Sequence, residues 1–388
     1  MTSSKRKVCV VVTARPSYSR IKTALQAIKE HPDLELQLVA AASALLDNYG
    51  KVVNNMVDDG FDVVERVFMV LEGENLVTSA KSTGLGIVEL ATTFNRLKPD
   101  LVVTIADRFE TIATAITASY LNIPLAHVQG GEVTGSIDEK VRHAITKLSD
   151  LHLVSNAKAA ERVIRMGEAP DKVFVTGCPS IDIAAQVMRN DSSLNFNPFQ
   201  KYGGVGDTFD FSQGYMVVMQ HPVTTEFEAA RKQVVETLYA IQAINMPTFW
   251  FWPNVDAGAD YTSRGIRSFR EIEKPTNLHF FKNMLPEDFL RLIYNSRCIV
   301  GNSSVAIREC AYLGVPAVNI GVREAGRDRG QNVIDVDYDR AKIVEAIKKQ
   351  LTHGHYPQDE IYGDGTAGKQ IAGVLATAPL TFTKRITY

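Results

Sequence analysis

The chain has no long hydrophobic run, little cysteine and almost no net charge, and each shortage closes off a class of function. No apolar stretch in its 388 residues approaches the ~20 residues needed to cross a bilayer. The polar start MTSSKRK leads straight into the short run Val8–Val12, too brief for a signal-peptide core. No membrane partner is expected, and the cytoplasm is the expected location. The four cysteines, Cys9, Cys178, Cys298 and Cys310, form no CxxC pair and have no histidine at metal-ligand spacing. That argues against both a zinc site and a disulfide framework, so no metal is expected. A formal net charge of −2 provides no basic field for nucleic acid. Any phosphate must therefore be held by local arginines and backbone dipoles. Low-complexity tracts and short tandem repeats are absent as well.

What is present is a globular composition, 45% hydrophobic and 22% charged, on a chain long enough for two domains of roughly 150–200 residues. Short β-branched runs at Val8–Val12, Leu36–Ala41, Leu101–Ile105, Leu125–Val128, Leu151–Val154 and Val173–Thr176 alternate with segments of helical period such as Tyr18–Lys29 and Thr111–Leu121. This alternation predicts a parallel sheet covered by helices. Residues 190–213 are rich in Asn, Gly, Asp and Ser and break the pattern. It then resumes with strands at Tyr215–Gln220, Thr248–Phe251, Leu278–Phe281, Cys298–Val300 and Ala317–Ile320. Helices are expected over Glu226–Ile244, Pro286–Asn295 and about Val305–Leu313. The fold class is thus α/β, with two facing Rossmann-like domains and a ligand in the cleft between them. The expected boundaries are 1–185 for the first domain, 186–213 for a connection and 214–370 for the second domain. Residues 371–388 form a C-terminal segment packing back on the first.

Ligands of open α/β sheets sit beyond the carboxyl ends of the strands, so those ends are where chemistry is sought. After the first strand, Arg15 opens a helix, where free N–H groups favour phosphate. Asp107-Arg108-Phe109-Glu110 follows the Leu101–Ile105 run, either as a functional pair or as a local ion pair at a helix start. Gln129-Gly130-Gly131-Glu132 follows Leu125–Val128 and is not a GxGxxG fingerprint; Asp138, Glu139, Arg142 and His143 come shortly after. Carboxylates this dense suit general acid/base work. In the second half, His221 stands directly after a strand. Gly301-Asn302-Ser303-Ser304 opens a helix toward an anion, with Glu309 placed to accept from a ribose diol. Arg323 and Arg327 follow another strand.

Ten blocks occur in an order that resembles a known family. They are Arg15-Pro-Ser-Tyr-Ser19, Asp107-Arg-Phe109, Gly130-Gly-Glu-Val-Thr-Gly135, Arg142-His-Ala-Ile-Thr-Lys147, Gly177-Cys-Pro-Ser180, Gln220-His-Pro-Val-Thr-Thr225, Pro253-Asn-Val-Asp-Ala-Gly258, Gly301-Asn-Ser-Ser304, Arg308-Glu309 and Ile361-Tyr-Gly-Asp-Gly365. Over about residues 7–376 the chain is similar to the hydrolysing UDP-N-acetylglucosamine 2-epimerases of sialic acid biosynthesis, with a poor match around 190–213. The resemblance implies the GT-B architecture and a UDP-linked sugar substrate. It also implies conversion of UDP-GlcNAc and water to N-acetylmannosamine and UDP with no cofactor, in a homodimer or homotetramer. Non-hydrolysing relatives read His-Val-Glu-Ala-Gly where this chain reads His127-Val-Gln-Gly-Gly-Glu132. Gln129 cannot act as the base there, and Glu132 fits the hydrolysing pattern.

The reaction implied is anti elimination of the nucleotide to a 2-acetamidoglucal, followed by hydration. Asp107, Glu132, Asp138 and Glu139 form the acid/base pool, and His221 contacts the leaving group or donates a proton. Arg15, Ser303, Ser304 and Arg323 lie on the diphosphate side, Glu309 at the ribose, and the backbone of Phe281, Asn283 and Met284 at the base. Ser19, Arg108, Arg142 and Asn254 complete the substrate-binding set by their places in the shared motifs. Which carboxylate faces which side of C2 stays open. A relative acting on a UDP- or GDP-linked 2,4-diacetamido-6-deoxy sugar is an alternative that the same motifs would fit. A GT-B glycosyltransferase or a nucleotide-sugar sensor fits less well, because neither needs several acids around C2.

Overall fold

Parallel strands need crossovers that run the length of a sheet, and apolar runs separated by amphipathic segments meet that need twice in this chain. The structure is a computed structural model describing residues 5–47, 50–72, 76–134, 138–223, 225–253 and 258–387. It divides into a first unit, Met1–Glu132, Ile137–Asp182 and Tyr362–Tyr388, and a second, Val133–Ser136 and Ile183–Ile361.

The first unit carries strands β1 (Arg6–Val12), β2 (Leu34–Ala41), β3 (Val63–Val67), β4 (Leu101–Ile105), β5 (Leu125–Val128), β6 (Leu151–Val154) and β7 (Val173–Val175). All are parallel, in the order β3-β2-β1-β4-β5-β6-β7. Its helices are α1 (Arg15–Ser19), α2 (Lys22–Glu30), α3 (Val52–Asp58), α4 (Leu76–Leu97), α5 (Thr111–Tyr120), α6 (Asp138–Leu148) and α7 (Ala157–Arg165), followed by α8 (Pro179–Asn190). Side chains of β1 alternate between two cores. Val8, Val10 and Val12 pack with Ile21, Leu25 and Ile28, while Cys9 and Val11 pack with Leu90, Phe94 and Ala113.

The second unit adds α9 (Pro198–Tyr202), β8 (Val205–Gly206), β9 (Met216–Met219), α10 (Ala230–Ile244), β10 (Thr248–Phe251), α11 (Ala259–Glu273), β11 (Leu278–Phe281), α12 (Pro286–Tyr294) and β12 (Cys298–Gly301). It continues with α13 (Glu309–Leu313), β13 (Ala317–Ile320), β14 (Val333–Val336) and α14 (Arg340–His353), and the chain then returns to the first unit as α15 (Ala367–Thr377). The strand order is β14-β13-β12-β9-β10-β11-β8, parallel except for β8. Counted from β9, this is the same doubly wound order as in the first unit. Both sheets thus have the Rossmann topology expected from the sequence.

Several expectations need correction. Residues 186–213 are not a bare connection: α8 runs on to Asn190, β8 pairs antiparallel with β11, and Phe199, Phe209 and Phe211 pack on the ring of Phe249. Three aromatics scattered among polar residues leave no periodic trace. The return begins at Tyr362, ahead of position 371. Asp182 secures it: one carboxylate oxygen accepts from the Ala367 N–H at 2.9 Å, and the other from the Gly368 N–H at 2.7 Å and Thr23 Oγ1 at 2.8 Å. The helix expected over about Val305–Leu313 is broken into a 3-10 turn, Ser304–Ala306, and α13, so Glu309 begins a helix instead of lying within one. Edge strands β3 and β14 were not foreseen, because charges such as Glu65, Arg66 and Asp335 interrupt their apolar runs. No helix among the described residues is long and apolar enough to cross a membrane.

Gly301 ends β12 at a φ of 135°, and a Cβ there would lie 2.0 Å from the Met219 carbonyl oxygen of β9. Gly301→Ala is therefore expected to cost at least about 1–3 kcal/mol. Urea denaturation checks this, and an unchanged midpoint would refute it.

Candidate active site

The topological switch point of the first sheet lies between β1 and β4, whose carboxyl ends lead into Arg15 and Asp107. Arg15 is the first residue of α1, and burial pushes its guanidinium below its ordinary value. Ser19 is turned onto its own helix, its hydroxyl donating to the Pro16 carbonyl at 3.0 Å. Directly after β4 and β5, Ala106 and Gln129 take left-handed conformations, φ 61° and 68°. For residues other than glycine that costs about 1–3 kcal/mol each and requires support from the surroundings. His127 supplies part of it. Its Nε2 lies 2.9 Å from the Ala106 carbonyl, so Nε2 carries the proton and donates it, leaving Nδ1 to accept from Thr146 Oγ1 at 3.2 Å. Burial pushes His127 down to about 3, against the pull of the Ala106 bond, so the ring is neutral.

The two turns meet on one guanidinium. Arg142, on α6 and only 1% exposed, pairs through Nη2 with Asp107. Its Nη1 donates to Glu139 Oε2 at 3.0 Å and to the Glu132 carbonyl at 2.7 Å. Glu139 also meets His143 Nε2 at 3.0 Å, and Glu132 Oε1 accepts from Ser155 Oγ at 2.8 Å. Asp138 begins the same helix. The carboxylates therefore do not simply crowd one another, because Asp107 and Glu139 share a cation. Arg142, expected among the substrate contacts, is spent inside the protein. Gly131 allows the packing of this loop: at φ 74°, a Cβ would stand 2.2 Å from the Ala159 carbonyl oxygen. Gln129 is turned inward, its amide donating to Cys178 Sγ at 3.0 Å. Arg108 Nε pairs with the buried Glu110 at 2.8 Å.

In the second sheet the switch point lies between β9 and β12. Asn302 joins these two ends: its Oδ1 accepts from the His221 N–H at 2.7 Å and its Nδ2 donates to the His221 carbonyl at 2.9 Å. His221 and the Ser303-Ser304 turn are thereby held in one register, with Ser303 capping the turn. Arg323 Nη1 donates to the Asn302 carbonyl at 3.1 Å and pairs with Glu324 at 2.8 Å, while Arg327 holds the other Glu324 oxygen at 2.8 Å. Glu309 is buried, and its Oε2 has no hydrogen-bond partner among the described residues. Met284 is buried and Asn283 exposed after β11. Phe281 itself lies in the aromatic core, and its carbonyl accepts from the Trp252 N–H, which leaves residues 282–284 as the free part of that turn. Asn254 lies outside the described residues. Sequence reasoning passed over Ser155 and Glu324 and gave no role to Glu110 and Asn302, polar residues whose partners are set by the fold. Among the described residues, no group of three or more His, Cys, Asp or Glu is arranged to hold a metal ion.

The family profile described as UDP-N-acetylglucosamine 2-epimerase matches residues 26–376. The chain belongs to the UDP-N-acetylglucosamine 2-epimerase family. It is 31% identical over 375 residues, 97% of each chain, to a Legionella pneumophila UDP-N,N'-diacetylbacillosamine 2-epimerase (hydrolyzing). It is 32% identical over 346 residues, 88% of this chain and 85% of the other, to the polysialic acid biosynthesis protein P7 of Escherichia coli. Its fold matches a crystal structure of UDP-GlcNAc 2-epimerase from Neisseria meningitidis bound to UDP-GlcNAc, with a TM-score of 0.78 at 17% identity, covering 95% of this chain and 99% of that one. The GT-B fold class expected from the sequence is thus the observed one. In this member of the epimerase family, the matched span contains every expected site residue except Arg15 and Ser19.

The neutral His127 beneath the acid loops makes folding pH-dependent. The unfolded chain takes up a proton near pH 6.5 that the folded ring refuses until about 3. Stability from this group is complete above pH 6.5 and is lost as pH falls toward 3, at up to about 1.4 kcal/mol per pH unit. Buried His152 adds in the same direction. Urea midpoints measured from pH 7.5 to 4 should fall, and fall less steeply in His127→Gln; a flat series would contradict the assignment.

Proposed function

We propose that this epimerase-family chain is a hydrolysing 2-epimerase that converts UDP-GlcNAc and water to N-acetylmannosamine and UDP. The observation that carries this is the gathering of acids from two successive strand ends, Asp107 and the Glu132 loop, with Glu139 on one buried arginine. A base removes the C2 proton while the C1–O bond breaks and UDP departs, giving 2-acetamidoglucal. Water then adds its hydroxyl at C1 and a proton returns to the opposite face of C2. Asp107, Glu132, Asp138 and Glu139 supply the base and the acid. Arg15, Ser303, Ser304 and Arg323 steady the departing diphosphate, with Arg108 supporting either phosphate or carboxylates. Glu309 receives the ribose hydroxyls, and the turn at 282–284 the base. His221 contacts the leaving group or donates a proton.

Two features favour the hydrolysing reaction over simple epimerisation. Gln129 stands where a non-hydrolysing relative would carry a glutamate, and its amide is committed to Cys178 in the interior. The Legionella relative is also named as a hydrolysing enzyme. That same name favours a second reading, in which the identical steps act on a UDP- or GDP-linked 2,4-diacetamido-6-deoxy sugar. A cytoplasmic homodimer or homotetramer, working without a cofactor, completes the proposal.

Incubation with UDP-GlcNAc and with UDP- and GDP-linked 2,4-diacetamido sugars in deuterium oxide decides among these readings. The preferred substrate should yield free UDP or GDP and a mannosamine-type sugar carrying deuterium at C2. A product without deuterium, or a nucleotide-linked epimer as sole product, would exclude the mechanism. Asp107→Asn and His221→Ala should each lower turnover by at least ~10²-fold; near-normal rates would remove them from the machinery.

A further inference from the structure

Residues 378–387 have no regular secondary structure, yet they are held along the first unit at spaced points. Arg6 Nη1 donates to the Ala378 carbonyl at 3.1 Å, Lys172 Nζ to the Pro379 carbonyl at 3.4 Å, and the Thr387 N–H to the Gly167 carbonyl at 3.0 Å. Between these points Lys384 turns inward. Its ammonium contacts Glu168 Oε2 at 2.6 Å and donates to the Thr146 carbonyl at 3.0 Å and to the Ser149 carbonyl. Lys384 lies beyond residues 26–376, the span matched by the family profile.

Those two carbonyls close the C-terminal end of α6, where a helix leaves acceptors unpaired and its dipole favours a cation. Glu168, 2% exposed, is a buried anion that needs neutralising. Burial opposes its charge, but bonds from His152, Lys147 and Lys384 outweigh that and draw it down to about 2. From α6 two short routes lead to the acids. Along the helix, Arg142 binds Asp107 and Glu139. Across it, the Thr146 hydroxyl bonds His127, whose other nitrogen holds the Ala106 carbonyl next to Asp107.

We propose that Lys384 is a positioning residue for catalysis: by clamping the Thr146 and Ser149 carbonyls and Glu168, it anchors the C-terminal end of α6, the helix that carries Glu139 and whose Arg142 holds Asp107. The inference rests on the acid/base role proposed above for those two carboxylates. The lysine touches no reacting atom. It removes freedom from the helix that sets where the carboxylates stand, and misplacement on the ångström scale is costly to turnover.

The test uses the full chain with Lys384→Met, Lys384→Arg and, as a tail contact that bonds the Pro379 carbonyl, Lys172→Ala. Lys384→Met should lower kcat by about ten-fold or more with KM within about two-fold. Amide exchange should quicken at 106–108 and 138–148, UDP affinity should hold, Lys384→Arg should recover most of the rate, and Lys172→Ala should match wild type. If Lys384→Met does not fold, Lys384→Gln is read by the same criteria. A kcat within about two-fold of wild type, or unchanged exchange at 106–108, overturns the proposal even if thermal stability drops. Should wild type turn over none of the sugars named above, the functional reading fails, and the exchange data alone still decide whether Lys384 holds these segments.

Discussion

A guanidinium taken almost wholly out of water organises the first unit. Burying Arg142 would cost several kcal/mol if it were left without partners, and the fold meets that demand with Asp107, Glu139 and the Glu132 carbonyl. These groups come from three separate places: the turn after β4, the first turn of α6 and the loop after β5. Satisfying one cation thus fixes three pieces of backbone relative to one another. The left-handed Ala106 and Gln129 are tolerable because the turns they create deliver partners to it.

The second unit solves the same problem without charge. Its switch point is held by the side-chain amide of Asn302, which both donates to and accepts from the backbone of His221. A neutral clasp suits a region expected to receive a diphosphate, since it leaves the nearby arginines to set the local field. Those arginines are themselves balanced, with Glu324 between Arg323 and Arg327; in the first unit Arg108 is likewise matched by Glu110. This is how a chain with a net charge of −2 can offer cationic points without a broad basic surface.

The centre of each sheet was legible in the sequence because β1, β4, β5, β9 and β12 are buried on both faces and read as mostly apolar runs. The edges were not. β3 and β14 each show a face to water, and Phe199, Phe209 and Phe211 are too widely spaced to signal that they cover Phe249. The strand-end rule pointed to Asp107, Glu132, His221 and Ser303 because it depends only on where apolar runs stop. It could not tell a side chain that meets a ligand from one that holds its neighbours. Arg142, expected among the substrate contacts from the shared motifs, is paired with carboxylates, and the Phe281 ring packs among other aromatic rings. That distinction depends on partners far apart in sequence.

The return of the chain at Tyr362 has a consequence for how the protein is made. Ile371, Ala372 and Leu375 belong to the same core as Val8, Val10 and Val12, and Asp182 waits for the amides of Ala367 and Gly368. On the ribosome the first unit therefore emerges early but lacks part of its interior until α15 is synthesised. The second unit, nearly continuous from Ile183 to Ile361, has no such wait. Domains ordinarily complete in the order in which they are translated. Here the N-terminal sheet is the one that must stay open longest, with its apolar face against α15 bare until that helix has been made.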